Sequence, residues 1–510
     1  MDRQVSSRAL LSGPSSARVS QRATINQLPQ ELIVIIFRLS IDSKKHVKVL
    51  KRLALVCRLW KAIVEGTPSF WTNIKAADGI KHARNAITKT GESPIDLTLE
   101  TRDSISVAWF LAAVSEKVSH WRSVKLSFEA LPTSFGGLET SACHSLEKLS
   151  LTWDAWEPDL STSRLTLFDR GPAPTGLKNL FLWSIPVDLA PMRLCKLSSL
   201  VLVDVPYIAT DDILFILRNS PTLITLHLQE LDGLVFPEDS VGLPALLECL
   251  STCTFHLPTP LIRFLLSAIH APSLRRVELA VACDGSSIFS PPVSEFEPTL
   301  KKLLSTAEHI KVKFGKLDCS ITFWGLKIIL ESPGVDSEGP RYLRNVLESL
   351  MDYSGGEGTG PRIHLHVDAA DPTMEELLIF NESPAVEQLT LSERFWSDSI
   401  PRNAVDALGT PAAPGLDEWL FPELEVIDWN VNLDVLDKLE TALDKRYSTQ
   451  QAYADEHQCP RPLRELRFFS SNTIEMGPVD IEALQSRLRV LARGARVFLR
   501  NAMVDFGTPA

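Results

Sequence analysis

Several patterns that would point to an enzyme or a membrane protein are absent from this sequence. No stretch approaches eighteen apolar residues without a charge, so we expect no membrane-spanning helix. Four active-site motifs are also missing: the phosphate loop GxxxxGK[ST], GxGxxG after a strand, the nucleophile elbow GxSxG and the zinc motif HExxH. We therefore expect a protein without a membrane partner, without a cofactor and without catalytic activity of its own.

Recognisable metal and disulfide frameworks are missing as well. The 8 cysteines are scattered with no CxxC pair, which favours reduced, mostly buried thiols in a cytoplasmic or nuclear protein. His364 and His366 would lie on the same side of one strand, but two imidazoles without further ligands are more often a polar strand face. The sequence predicts no metal site.

Positive charge is scarce outside one region. The chain carries a net charge of -11, yet residues 22–75 hold ten Lys and Arg against three acidic residues, which is +7, so the remainder carries -18. The basic residues are mostly lysines of one connector without interleaved aromatics, which argues against nucleic-acid binding. A basic N-terminal region on an acidic body fits an acidic protein partner.

The length and composition predict more than one structural unit. A chain of 510 residues with 45% hydrophobic content exceeds one ordinary core, so we expect two or more units or an extended repeat array. Residues 1–24 are rich in Ser and Arg. This composition also suits a mitochondrial transit peptide, but we favour a disordered tail.

The stretch from Leu28 to Trp71 resembles an F-box, the short helical module that docks a protein onto the Skp-type adaptor of cullin–RING ubiquitin ligases. The resemblance rests on Leu28-Pro29, Glu31-Leu32, Ile36-Phe37, Leu53, Val56-Cys57-Arg58, Trp60 and the ending Pro68-Ser69-Phe70-Trp71. That ending is similar to the Pro-x-Leu-Trp of fungal members. We assign residues 25–75 to this head.

The residues of the head also predict three helices without reference to a family. Pro29 can open a helix, and Leu32, Ile36 and Leu39 recur at helical spacing, with Ile33 and Phe37 widening the stripe. Three short helices cannot bury all of this apolar surface on one another. Either a partner or the following domain must cover the rest; a simple three-helix cap on a larger core is the alternative.

The F-box resemblance implies a set of docking residues for the adaptor. Eight positions match those that form or support the docking surface in the family: Leu28, Pro29, Glu31, Leu32, Ile36, Val56, Cys57 and Trp60. Through the adaptor, the chain would join a cullin–RING ligase and do no chemistry itself.

Beyond Trp71, a short apolar pattern of the form LxxLxL recurs. Its copies begin at Leu146, Leu177, Leu197, Leu223, Leu274, Val386, Leu424 and Leu463. The last two apolar positions of each copy alternate, so they would share one face of a short strand. Helical segments precede several anchors, for example around residues 211–217 before Leu223 and from Pro260 before Leu274.

This pattern resembles leucine-rich repeats of the degenerate kind that follow F-boxes in fungal proteins. The predicted fold is therefore α/β: a short three-helix F-box head, then an irregular leucine-rich-repeat solenoid of alternating strands and helices over residues 76–510. Stretches rich in Pro, Gly and Ser, such as residues 284–299 and 401–417, are predicted as loop insertions.

Residues between the core positions of each strand would line the concave face of such a solenoid, the surface that solenoids use to bind proteins. Candidates for contact with a client protein are Phe181, Trp183, His227, Arg276 and Asp428. The first hypothesis is a substrate-recognition subunit of an SCF-type ubiquitin ligase. The alternative is a ligase-independent repeat scaffold that binds proteins.

Overall fold

A computed structural model gives the architecture of most of the chain. The structure describes residues 25–41, 46–100, 106–130, 132, 135, 138, 143–154, 167–168, 174–206, 208–231, 244–282, 309–314, 318–323, 326–331, 346–347, 362–368, 377, 380, 386–392, 402–409, 420–430, 436–452, 462–468, 486–487, 490, 495–499 and 502–504. The tail predicted at residues 1–24 and the insertion predicted at residues 284–299 lie outside these ranges. The loop predicted at residues 401–417 is wrong in part, because Arg402–Leu408 form a helix.

Helices at the N-terminus precede a large sheet, so the fold is mixed α/β. The head contains α1 (Gln30–Ser40), α2 (His46–Ala54) and α3 (Arg58–Gly66), with 3-10 turns at Ile25–Gln27 and Pro68–Phe70. Pro29 does not begin the first helix but stands directly before it, in the N-cap position, with φ of -51° and ψ of 145°.

Eighteen described strands form one sheet, and two short strands pair separately. The strands are β1 (Asn73–Lys75), β2 (Ile95–Leu99), β3 (Trp121–Phe128), β4 (Lys148–Trp153), β5 (Asn179–Trp183), β6 (Ser199–Val203), β7 (Thr225–Gln229), β8 (Ala245–Leu246), β9 (Thr252–His256), β10 (Ile269–His270), β11 (Arg276–Ala282), β12 (His309–Phe314), β13 (Asp318–Phe323), β14 (Leu326–Glu331), β15 (Arg362–Asp368), β16 (Val386–Ser392), β17 (Val426–Asn430), β18 (Glu465–Phe468), β19 (Arg496–Leu499) and β20 (Ala502–Val504).

The strand order follows the chain, with one departure. Strands β1 to β7 pair in parallel one after another, β7 pairs with β9, and β9 with β11. Next to β11 lies β14, followed by β13 and β12 as an antiparallel meander, and β12 returns to parallel pairing with β15. Parallel pairing then continues to β19, and β20 is antiparallel to it.

Helices connect many of these strands. They are α4 (Ile80–Lys89), α5 (Val107–Val114), α6 (Thr210–Arg218), α7 (Thr259–Ala268) and the helices Arg402–Leu408 and Leu436–Ala452. The helices predicted before Leu223 and Leu274 are confirmed as α6 and α7. In both helices the face towards the sheet is apolar and buried. Parallel strands are joined by crossover connections, and a crossover helix covers one face of the sheet.

The apolar pattern explains why the strands form where they do. In all eight copies of LxxLxL the three apolar residues are buried, and the last two lie in a strand of the sheet. The pairing registers place these residues side by side: Leu180 aligns with Leu200, and Leu200 with Leu226. Each strand therefore adds two residues to the same layer of the core.

The LxxLxL spacing did not predict every strand of the sheet, and β9 and the meander β12–β14 are two of the regions that it missed. Strand β9 repeats the spacing as Leu250, Cys253 and Phe255, all buried, but cysteine and phenylalanine replace the expected leucines. The meander β12–β14 follows no LxxLxL spacing, because antiparallel neighbours need only a short turn and no crossover.

Removal of one leucine from the aligned layer tests this account of the core. Leu200→Ala should lower the free energy of unfolding by about 3–5 kcal/mol, because Leu200 is fully buried between Leu180 and Leu226. The measurement is chemical denaturation followed by circular dichroism. Val201→Ala is the control on the opposite face of the same strand, where the side chain is partly exposed; an equal loss in both variants would contradict the assignment of the core.

Candidate functional site

Residues of α3 and of the Pro68–Phe70 turn pack against Phe37 of α1. Its ring lies 4.7 Å from that of Trp60 in an edge-on arrangement and 6.4 Å from that of Phe70. Ile33, one turn before Phe37 on α1, and Ile63 and Val64 of α3 are buried with it. The inner side of the head is therefore a closed core, continuous with that of the sheet.

The outer side of the same helices is also apolar but is exposed. Leu32 is 46% exposed, Ile36 38% and Leu39 84%. These three recur at helical spacing on the face of α1 that Ile33 and Phe37 do not use. Fifteen large hydrophobic residues are exposed in the described part of the chain, and nine of them lie in the head: Ile25, Leu28, Leu32, Ile35, Ile36, Leu39, Leu55, Val56 and Leu59. Concentration of exposed apolar residues in one small module marks an interaction surface.

The eight docking residues implied by the sequence fall into two groups. Leu28, Pro29, Glu31, Leu32, Ile36 and Val56 are exposed and available to a partner, whereas Cys57 and Trp60 are half-buried. The sulfur of Cys57 accepts the backbone N–H of Trp60 at 3.5 Å and so caps α3. The indole of Trp60 donates to Asn26 Oδ1 at 2.9 Å. Cys57 and Trp60 therefore stabilise the structure beneath the surface and are less available for contact with a partner.

Three further exposed residues were missed by sequence reasoning. Ile35, Leu55 and Leu59 belong to the outer side of the head by their exposure. Helical periodicity alone could not assign Ile35, because α1 is apolar on two faces and periodicity does not say which face is inward.

Positive charge surrounds the exposed apolar residues. Lys48, Lys51, Arg52, Arg58 and Lys61 are all exposed. Within the described ranges none of these five forms an ion pair. Unpaired cations at the edge of an apolar surface favour an acidic partner and increase the rate of encounter with it.

The head is fixed to the sheet through Trp71. Its indole donates to the carbonyl of Val64 at 2.9 Å, and the ammonium of Lys89 on α4 lies 4.2 Å from the ring centroid. Strand β1 starts two residues later and pairs with β2. The head is thus attached to the sheet both by the contacts of Trp71 and by the strand that follows it.

Two half-buried histidines lie at the same junction. Burial lowers the pKa of His46 on α2; Asp78 opposes this shift, and His82 and Lys75 add to it. Burial likewise lowers the pKa of His82 on α4 against the opposing effect of Asp78. The junction therefore favours neutral imidazoles.

On the sheet, three of the five candidate client residues lie together. Phe181 on β5 and His227 on β7 occupy the same row across the sheet, because both align with Val201 of β6. Trp183 lies two residues further along β5, with its ring 6.4 Å from that of Phe181. Phe181 and His227 are half-buried, and Trp183 is 45% exposed.

The other two candidates lie elsewhere. Arg276 is exposed at the start of β11 and lies 3.6 Å from Glu278. Asp428 on β17 is buried, and its carboxylate accepts hydrogen bonds from Gln388 and Thr390. Because its charge already has partners and β17 is eight strands from β7, we remove Asp428 from the candidate client surface.

The described residues form no metal site: no group of three or more His, Cys, Asp or Glu side chains is placed to hold an ion. His366, one member of the histidine pair noted in the sequence, contacts the hydroxyl of Ser392 at 2.9 Å. The described helices also include none that is long and apolar enough to span a membrane.

Comparison with known proteins identifies the head. Residues 25–76 match the F-box-like family, which confirms the F-box resemblance of the sequence. The match covers about a tenth of the chain. No curated protein matches the chain.

The partial burial of Trp60 gives a prediction for the stability of the head. Trp60→Ala should lower the free energy of unfolding by about 2 kcal/mol, less than the roughly 3–5 kcal/mol of a fully buried tryptophan, because one side of the indole faces solvent. Thermal denaturation of the full chain measures the effect. Trp109→Ala is the control, since Trp109 is 66% exposed on α5 and its loss should change stability little; equal shifts for both would refute the role given to Trp60.

Proposed function

We propose that this chain is the substrate-recognition subunit of an SCF-type cullin–RING ubiquitin ligase. F-box-like domains generally bind Skp-type adaptors, and the match at residues 25–76 gives this chain such a domain. The observation that carries the proposal is the exposed apolar surface of the head. Its own fold leaves this surface uncovered, and docking onto an adaptor would bury it.

The docking residues we propose are the sequence-based set, divided by exposure into contacting and supporting residues. Leu28, Pro29, Glu31, Leu32, Ile36 and Val56 would contact the adaptor, while Cys57 and Trp60 hold the start of α3. Burial of a single leucine or isoleucine side chain contributes about 1.5–3 kcal/mol. A few such anchors are enough for a stable complex.

For the body we propose an irregular leucine-rich-repeat array that binds a client protein. The support is the recurrence of LxxLxL with a parallel strand at each copy and helices between several of them. The chain would act by tethering: a bound client gains a high effective concentration near the ubiquitin-charged enzyme of the ligase. No catalytic group of its own is needed, and we place the protein in the cytoplasm, the nucleus or both.

Binding to a purified Skp-type adaptor tests this proposal. We expect the full chain to bind, and the variant Leu32→Ala, Ile36→Ala to bind about 100-fold less tightly or worse, because about 3 kcal/mol of apolar burial is lost. Alanine preserves helix propensity, and circular dichroism should confirm that both proteins are folded. The affinity is measured by isothermal titration calorimetry.

The control removes a comparable exposed side chain from outside the head. Phe215 on α6 is 46% exposed, and Phe215→Ala should leave adaptor binding unchanged. Failure of the folded wild-type chain to bind any Skp-type adaptor would refute the ligase proposal. It would instead support the ligase-independent repeat scaffold.

A further inference from the structure

The face of the sheet opposite the core carries an exposed aromatic pair between β4 and β6. Trp183 aligns with Thr152 of β4 and, on the other side, with Val203 of β6. Its indole is 45% exposed and lies beside the ring of Phe181. Trp183 lies on the sheet face opposite the core and remains partly exposed beside Phe181, which makes it a candidate anchor for a partner.

Negative charge lies at the end of the sheet where Trp183 is found. Asp154 follows β4, Asp204 follows β6 and Glu230 follows β7, each directly after the last residue of its strand. Because these strands are parallel and in register, their carboxyl ends meet at one edge. Trp183, the last residue of β5, therefore lies between two strands that are each followed by an aspartate at this edge.

The three carboxylates are held in place but are not neutralised. Asp154 accepts a hydrogen bond from the hydroxyl of Ser127 at 3.1 Å, and Asp204 accepts one from Ser184 at 2.6 Å. Glu230 accepts one from the amide of Gln229 at 3.0 Å. Within the described ranges none of the three forms an ion pair, so their charges remain available to a cation.

Among the described residues, the row that contains Trp183 has no lysine or arginine. From β3 to β9 the described residues in register with Trp183 are Ser127, Thr152, Val203, Gln229 and His256. The nearby Lys125 lies further back on β3 and pairs with Glu100 at 3.7 Å, and Lys148 is at the opposite end of β4. This end of the face is therefore aromatic and acidic.

Backbone hydrogen bonds also hold this edge of the sheet in place. Ser184, Asp204 and Glu230 have left-handed φ angles of 54°, 50° and 48°. Each donates its backbone N–H to a carbonyl of the neighbouring strand. Ser184 donates to Val203 at 2.8 Å, Asp204 to Gln229 at 2.9 Å and Glu230 to His256 at 2.9 Å. The three residues thus form the same turn on three consecutive strands, which presents their side chains at equal height.

More negative charge follows on the helix that leaves this edge. Asp211 and Asp212 lie in the first turn of α6. Burial raises the pKa of Asp212, and the charges of Asp188 and Asp211 raise it further. Asp188, Asp211 and Asp212 thus lie near enough to one another to interact electrostatically.

We propose that this face docks an extended basic segment of the client, with one arginine or lysine stacked on Trp183 and further cations paired with Asp154, Asp204 and Glu230. A guanidinium or ammonium over an indole is favoured by the ring, and flanking carboxylates strengthen the preference. The inference rests on the proposed function, in which the body holds a client.

The dimensions of the face set the length of that segment. From β3 to β9 there are five strand spacings of about 4.8 Å, or roughly 24 Å. An extended chain covers about 3.3 Å per residue, so about seven or eight residues cross the face. A segment of this length can contact the indole and all three carboxylates at once.

The test measures binding of labelled peptides of about eight residues to the full chain by fluorescence anisotropy. The probe alternates arginine and alanine, and a glutamate–alanine peptide of equal length is its counterpart. We expect saturable binding of the arginine peptide that weakens with increasing salt, and no binding of the glutamate peptide. Trp183→Ala with Asp204→Asn should weaken binding at least tenfold; asparagine is chosen because it tolerates the left-handed backbone.

A matched variant separates this surface from general attraction to an acidic protein. Trp109→Ala with Glu116→Gln removes one exposed tryptophan and one exposed carboxylate near α5, and it should leave peptide binding unchanged. Equal losses in the two double variants, no binding of the arginine peptide, or equal binding of the glutamate peptide would each overturn the inference. Adaptor binding measured on the same samples reports separately on the proposed function, because these substitutions lie outside the head.

Discussion

In-register parallel pairing of the strands is the constraint on which the rest of this structure depends. The parallel strands align their core residues with those of their neighbours, and the apolar layer continues from β2 to β19 and joins the interior of the head. The same pairing sends the intervening residues to the opposite face and brings the carboxyl ends of β4 to β7 to one edge. The core, the aromatic pair and the acidic edge are three results of one arrangement.

The head shows how a small module can be stable and still be prepared for binding. On α1, Ile33 and Phe37 face inward and are buried in the core, while Leu32 and Ile36 lie on the face that remains exposed. The attachment through Trp71 and β1 joins the helices that carry this open face to the hydrophobic core of the sheet. A client held on the sheet would therefore keep a defined position relative to an adaptor held on the head.

The sequence predicted the parts of the fold that local pattern controls. LxxLxL spacing located eight strands, and apolar spacing with proline located α6 and α7. It missed β9, where Cys253 and Phe255 replace leucine, and it could not foresee the meander β12–β14, because the order of strands in a sheet is decided by tertiary pairing. For the head, the motif identified the module, but only burial separates Leu32 from Ile33. The acidic edge was invisible because Asp154, Asp204 and Glu230 are far apart in sequence and are brought together only by strand pairing.

Hydrogen–deuterium exchange of the full chain with and without a purified Skp-type adaptor tests the central claim most directly. The account predicts slower exchange in the head, above all in α1, whose outer face would be covered, and unchanged exchange in β5 to β7. Protection confined to the strands, or exchange in the head that the adaptor does not alter, would contradict the assignment of this surface as the docking site.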